Sequence, residues 1–205
     1  MPKNFYPNLD AFIKDLKVEQ IKEERFPQLQ AMVDFVQNKL DNELPIQLNF
    51  ICTHNSRRSQ LAQIWAQTIS AYFGIETSCF SGGVEVTAFN ENAVNAIKAA
   101  GFKIESTGNT NPIYEVSYSD SSPNIKAFSK KFDDAPNPNS GFAAIMTCSH
   151  ADENCPFIPG AEIRIPLRYD DPKAFDGTDL MEAKYLERSK EIATEMLYVF
   201  SRIKK

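Results

Sequence analysis

The residues best suited to chemistry in this chain are Cys52-Thr53-His54-Asn55-Ser56-Arg57-Arg58-Ser59, a cysteine six positions before an arginine that is followed directly by a serine. The run follows the apolar segment Ile46-Gln47-Leu48-Asn49-Phe50-Ile51 and precedes a helical pattern that starts near Ser59. A loop joining a strand to a helix N-terminus can turn successive backbone amides inward and hold an oxyanion at the positive end of the helix dipole. Thr53, His54, Asn55, Ser56, Arg57 and Arg58 are the expected anion-binding residues. Arg58 is the expected clamp, because a guanidinium grips two oxygens of a tetrahedral anion at once. Asn55 is a residue type that tolerates the left-handed backbone a tight anion loop demands. Ser59 is placed to donate to the Cys52 sulfur, which the same positive field favours as a thiolate nucleophile.

Two further clusters follow. Cys148 and Cys155 flank Ser149-His150-Ala151-Asp152-Glu153-Asn154, seven positions apart and just after an apolar run. Zinc is disfavoured, since zinc knuckles use tighter spacing and only His54 and His150 are available as imidazoles. No metal site is expected. Seven residues of continuous helix hold two Cα atoms about 10.5 Å apart, whereas a disulfide needs them within about 7 Å. A Cys148–Cys155 bond therefore requires a loop here, or a helix that unwinds. By spacing alone the pair stays open between core residues and a redox couple. Asp170-Asp171-Pro172 supplies a carboxyl group that could protonate a leaving oxygen, although Asp-Pro is also a routine turn. Cys79 reads as a small core hydrophobe, Trp65 as a core residue of its helix, and His150 as solvent-facing.

The elements that must position these residues emerge from periodicity. Leu29, Met32, Val33, Val36 and Leu40 mark one face of a helix behind Pro27, within a helical extension over residues 1–44. This extension is expected to pack on the core, to form a homodimer, or to cover part of the site. From residue 45 to 205 strands alternate with helices in what is expected to be one catalytic domain. A helix carries Leu61, Trp65, Ile69 and Tyr72 up to Gly74, and Glu76 to Phe80 is expected as a strand. Asn90 is an N-cap candidate for a helix closing at Gly101. Phe142 to Thr147 and Glu162 to Leu167 are further strands, and a last helix from about Asp179 would use Glu182 in a capping box. The stretch Ser106–Ser140 is expected as a long excursion with one short strand around Tyr114, Val116 and Tyr118. This alternation predicts an α/β fold, a four-stranded parallel sheet between helical layers.

Bulk properties narrow the partners. A net charge of −5 argues against nucleic acid. No apolar run approaches the roughly 20 residues that span a bilayer, and the first ten residues lack a secretory pattern. Four cysteines in 205 residues are too few for a disulfide scaffold. A cytosolic protein with reduced thiols is expected.

Together these residues resemble the low-molecular-weight protein tyrosine phosphatase superfamily, and within it the thioredoxin-coupled arsenate reductases. The resemblance spans Asn49 to about Phe200. It rests on Cys52-x5-Arg58-Ser59 with Asn55, on Ser81-Gly82-Gly83-Val84-Glu85 followed by Asn90-Glu91-Asn92-Ala93-Val94, on Cys148-x6-Cys155-Pro156, and on Asp170-Asp171-Pro172. It implies that Cys52 attacks arsenate held by the loop and Arg58, with Asp171 assisting loss of oxygen. Cys148 then attacks the Cys52–arsenic adduct, and Cys155 resolves the resulting disulfide for reduction by thioredoxin, with no bound cofactor. The alternative it implies is a phosphatase acting on phosphotyrosine or small phosphate esters through a Cys52 phosphoenzyme. A non-catalytic anion sensor is a third reading. Three departures stand out. His54 replaces a common glycine, and Arg57 replaces a commoner neutral residue. Gln63 stands where potassium-binding reductases carry glutamate, which argues against a potassium site. The absence of aromatic residues after Asp171-Pro172 leans toward a small inorganic anion.

Overall fold

The computed structural model describes residues 4–154 and 157–205. In chain order its elements begin with α1 (Pro7–Lys14), α2 (Phe26–Asp41), β1 (Gln47–Cys52), α3 (Arg58–Tyr72), β2 (Ser78–Gly83), α4 (Glu91–Ala99) and β3 (Lys103–Thr107). They continue with β4 (Ile113–Ser117), β5 (Ile125–Ala127), β6 (Phe142–Met146), α5 (Ser149–Asn154), β7 (Ala161–Ile165), a 3-10 turn at Pro172–Phe175 and α6 (Met181–Ser201).

Strands β2, β1, β6 and β7 form the expected parallel sheet in that order, flanked by helices. Such a sheet buries both faces, so its strands need apolar residues at odd and even positions alike. In β6, Ala143 and Ile145 enter the main core, which they share with α1, α2, α3, α4 and α6. Phe142, Ala144 and Met146 face a smaller cluster with Ile51, Cys52, Cys148, Ala151 and Ile158. The two cysteines of interest therefore lie in one buried apolar cluster, at the carboxyl ends of neighbouring strands. Ligands bind at that end of open parallel sheets.

The N-terminal helices pack onto their own chain. Leu9, Ile13, Leu29, Met32 and Val36 are almost wholly buried in the main core. Phe12 stacks on Trp65 at 5.4 Å between ring centroids, and Phe26 lies 5.2 Å from Tyr198. The indole N–H of Trp65 donates to Ser189 Oγ (2.9 Å), so this residue fills the core without an unsatisfied donor. The apolar face expected from periodicity is thus occupied internally, with Phe35 added to it and Leu40 only partly covered.

Three local expectations need correction. The stretch after Ser106 is no loose excursion: β3, β4 and β5 make a three-stranded antiparallel sheet, with Val116 opposite both Ile104 and Ile125. The second parallel strand runs from Ser78 to Gly83, later than the Glu76–Phe80 read from apolar residues, because its last residues are small by necessity. A Cβ on Gly82 would lie 2.2 Å from the Phe132 Cα, and one on Gly83 would meet the Asn55 nitrogen at 2.8 Å. Helix α6 begins at Met181 without a capping box. Thr178 takes that role instead, its carbonyl accepting from the Met181 amide (3.1 Å) and its hydroxyl from that of Leu180 (3.3 Å). The segment after Cys148 forms a short helix, α5, as far as Asn154. The expected N-cap at Asn90 is present, its side chain accepting from the amides of Asn92 and Ala93. No helix among the described residues is long and apolar enough to cross a membrane.

Candidate active site

The turn between β1 and α3 is built from its carbonyls outward. Thr53 O accepts from the amides of Val84 (2.8 Å) and Glu85 (2.9 Å), and His54 O from the hydroxyls of Thr87 (3.1 Å) and Ser129 (2.9 Å). Asn55 O accepts from Gln60 Nε2 (3.0 Å), Ser56 O from the Asn90 amide (2.9 Å), and Arg57 O from the Leu61 amide (2.9 Å). Every loop carbonyl is thus held outward by a donor from another element or from the helix. No backbone amide of residues 53–57 has an acceptor among the described residues. A row of unpaired amides ahead of a helix N-terminus is the physical definition of an anion nest.

Asn55 is the keystone. Its φ of 47° lies in the left-handed region, which bends the loop back on itself. Its Oδ1 accepts from the Lys130 backbone amide (3.0 Å), which fixes the amide orientation and aims Nδ2 at Ser59 Oγ (2.9 Å). With that oxygen accepting from Asn55, the Ser59 hydroxyl is free to donate to Cys52 Sγ at 3.0 Å. The sulfur itself is buried at the sheet end. A donor of fixed direction stabilises negative charge on the nucleophile.

Arg58 and Arg57 diverge. Arg58 Nη2 donates to Asp171 Oδ2 (2.6 Å) and Nη1 to the Tyr169 carbonyl (3.1 Å). Arg58 Nε is buried without an acceptor, leaving donor capacity for an anion. Asp171 Oδ1 accepts from the Lys173 amide (3.1 Å), so this carboxylate also caps the 3-10 turn. Arg57 turns away: its Nε donates to Tyr185 Oη (2.7 Å) and Nη2 to Asp176 Oδ2 (3.3 Å). Its side chain anchors the loop to α6, which leaves its backbone amide as the group available to an anion. Ser56 Oγ is likewise committed, donating to Ala88 O (2.7 Å), and His54 Nε2 pairs with Glu85 at the exposed rim (3.3 Å).

Cys148 stands beside the loop. Ile51 pairs with Met146 in the β1–β6 ladder and Thr147 N donates to Ile51 O (2.8 Å), so Cys148 lies one residue past the position opposite Cys52. Its sulfur accepts from the Ala151 amide (3.3 Å) and is 3.4 Å from Thr53 Oγ1. Thr53 Oγ1 in turn reaches His150 Nδ1 at 3.3 Å, so His150 is exposed as expected yet borders the site. Asp152, buried on α5, pairs with Arg164 and Arg168 and ties this helix to β7 and the segment beyond. Cys155 lies outside the described residues. Cys79 is buried in the core, where desolvation pushes its thiol well up, in keeping with a packing role.

Sequence reasoning missed Lys130, whose backbone amide orients Asn55 from 75 residues away. It also assigned no role to the Tyr169 carbonyl or the Tyr185 hydroxyl, which anchor the two arginines.

Comparison with known proteins decides the lineage. An arsenate reductase of Halalkalibacterium halodurans is 32% identical over 131 residues, 63% of this chain and 76% of that relative. The chain belongs to the arsenate reductase family. A Bacillus subtilis arsenate reductase is 29% identical over 142 residues, covering 69% of this chain and 85% of the relative. No protein-family model matches. Among solved structures, a YwlE mutant from Bacillus subtilis superposes with a TM-score of 0.52 at 14% identity, over 78% of this chain and 99% of the other. A low-molecular-weight protein tyrosine phosphatase from T. tengcongensis also gives 0.52, at 16% identity, over 77% and 99%. This reductase-family chain therefore has the low-molecular-weight phosphatase fold.

Proposed function

We propose that this chain reduces arsenate to arsenite through Cys52, Cys148 and Cys155, with thioredoxin as the electron donor. The observation that carries the reading is Cys148, buried in one cluster with Cys52 and in contact with Thr53 of the anion loop. Hydrolysis of a phosphate ester has no use for a second sulfur there. In the proposed sequence the anion is held by the amides of residues 53–57 and by Arg58. Cys52 attacks arsenic(V) and an oxygen leaves as water, with Asp171 as the proton donor. Cys148 then attacks the Cys52 sulfur and the S–As bond breaks with its electron pair going to arsenic. Arsenite departs, and a Cys52–Cys148 disulfide remains. Cys155 attacks Cys148, freeing Cys52, and thioredoxin reduces the Cys148–Cys155 bond. A Cys148–Cys155 bond forms only where the segment between the two cysteines is not continuous helix, since seven helical residues hold two Cα atoms about 10.5 Å apart.

The test is arsenate-dependent NADPH consumption with thioredoxin and thioredoxin reductase, run beside hydrolysis of an aryl phosphate. Cys52→Ser should abolish both activities. Cys148→Ser should abolish arsenate-linked NADPH loss while sparing any aryl phosphate hydrolysis. Undiminished arsenate reduction by Cys148→Ser would reject the relay. Hydrolysis without any arsenate-linked consumption would make the chain a phosphatase.

A further inference from the structure

The N-terminal segment that precedes β1 sends one side chain into the support of the site. Arg25, at the entry to α2, donates through Nε and Nη2 to both carboxylate oxygens of Glu195 on α6 (2.6 and 2.9 Å). Its Nη1 donates to the Arg168 carbonyl (2.7 Å), and its guanidinium lies 4.9 Å over the ring of Tyr169. Tyr169 Oη donates to Glu195 Oε2 (2.6 Å). Glu195 and Tyr169 are 2% and 5% exposed, so this is a buried clamp rather than a surface ion pair. Burial works against the Arg25 charge, but the Glu195 carboxylate outweighs it and the guanidinium stays firmly protonated.

The gripped segment is the one that faces Arg58. The Tyr169 carbonyl accepts from Arg58 Nη1, its amide donates to Thr147 O (3.1 Å), and Asp171 two residues on holds Arg58 Nη2. We propose that Arg25 is a positioning residue for the anion site, holding residues 168–171 so that the Tyr169 carbonyl and Asp171 present Arg58 to the loop. The extension thereby becomes part of the active site's rigid frame. Arg25 touches neither substrate nor reacting sulfur and acts only through Tyr169 and Arg58. This inference rests on the anion-loop reading of Cys52 and deepens it.

The experiment follows Cys52 alkylation by iodoacetamide, mapped by mass spectrometry, and its protection by inorganic phosphate, with melting temperature recorded for each variant. Arg25→Lys keeps a charge for Glu195 but cannot also span the Arg168 carbonyl and the Tyr169 ring. Arg25→Met/Glu195→Gln removes both charges and leaves no orphan carboxylate. A positioning role predicts that both variants need about tenfold more phosphate for half-protection, in line with coupling through packed networks, with the double variant melting close to the wild type. Unchanged phosphate protection in a folded variant overturns the proposal. Protection that falls and recovers in step with melting temperature also overturns it, because Arg25 would then be only structural. If phosphate fails to protect Cys52 in the wild type, the anion-loop reading itself has failed, which this series separates from failure of the Arg25 role.

Discussion

Replacing Asn55 should separate the two contributions of that residue, its backbone conformation and its amide. Asn55→Gly keeps access to φ near 47° while removing the bonds to Lys130 N and Ser59 Oγ. The Ser59 bond is worth about 1 kcal/mol, and leaving the buried Lys130 amide without an acceptor costs about 2 kcal/mol, about 3 kcal/mol in all. For a chain of this size, that lowers the melting temperature by about 10 °C. Asn55→Ala adds left-handed strain of about 1–2 kcal/mol, partly offset by the lower entropy of its unfolded chain. The expected order is therefore wild type, then Gly, then Ala. Thermal and urea melts at pH 7 measure it. Iodoacetamide alkylation of Cys52 should slow severalfold in both variants, because Ser59 loses the donor that fixes its own hydroxyl toward the sulfur. A glycine variant melting within about 2 °C of wild type would refute the role given to the amide. An alanine variant more stable than glycine would refute the backbone argument.

Other outcomes follow from the same geometry. Gly82→Ala drives a Cβ to 2.2 Å from the Phe132 Cα, a clash with backbone that no rotamer relieves, so soluble folded protein should be lost; recovery of a variant with wild-type melting would contradict the packing. Lys130 is buried, and desolvation pulls its ammonium down from 10.5 to about 8. The unfolded chain then binds more protons between those values, so stability should rise with pH from about 8 to 10.5, by about 3 kcal/mol for a 2.5-unit difference. Urea titrations of Lys130→Met should show that rise flattened and the protein stabilised at pH 7, whereas parallel profiles would remove Lys130 as the cause.

The parallel sheet was legible because its strands are apolar runs separated by one-sided helical patterns, and the loop because cysteine, arginine and serine fall at fixed offsets. The second sheet was not. Strand β3, Lys103-Ile104-Glu105-Ser106-Thr107, is exposed at all but one position, and β5 has only three residues, so neither displays a period. The end of β2 was misplaced because Ser81-Gly82-Gly83 look like a turn, whereas their smallness answers to the close approach of Phe132 and the loop backbone. Arg57 and Arg58 are neighbours of one chemical type, and only Tyr185, Asp176, Tyr169 and Asp171, all more than 110 positions away, assign them different tasks. The Arg25–Glu195 pair spans 170 positions, and charge pattern gives no sign of a contact that distant.

The polarity of the route from Lys130 N through Asn55 and Ser59 to Cys52 has a consequence for the conditions under which the nucleophile is ready. None of its three donors is an acid or base in the biological range. A cysteine readied by an imidazole gains and loses its partner's proton as the surroundings acidify. Here the sulfur's hydrogen bond keeps one direction through any such change. Acidification cannot invert the wiring behind it.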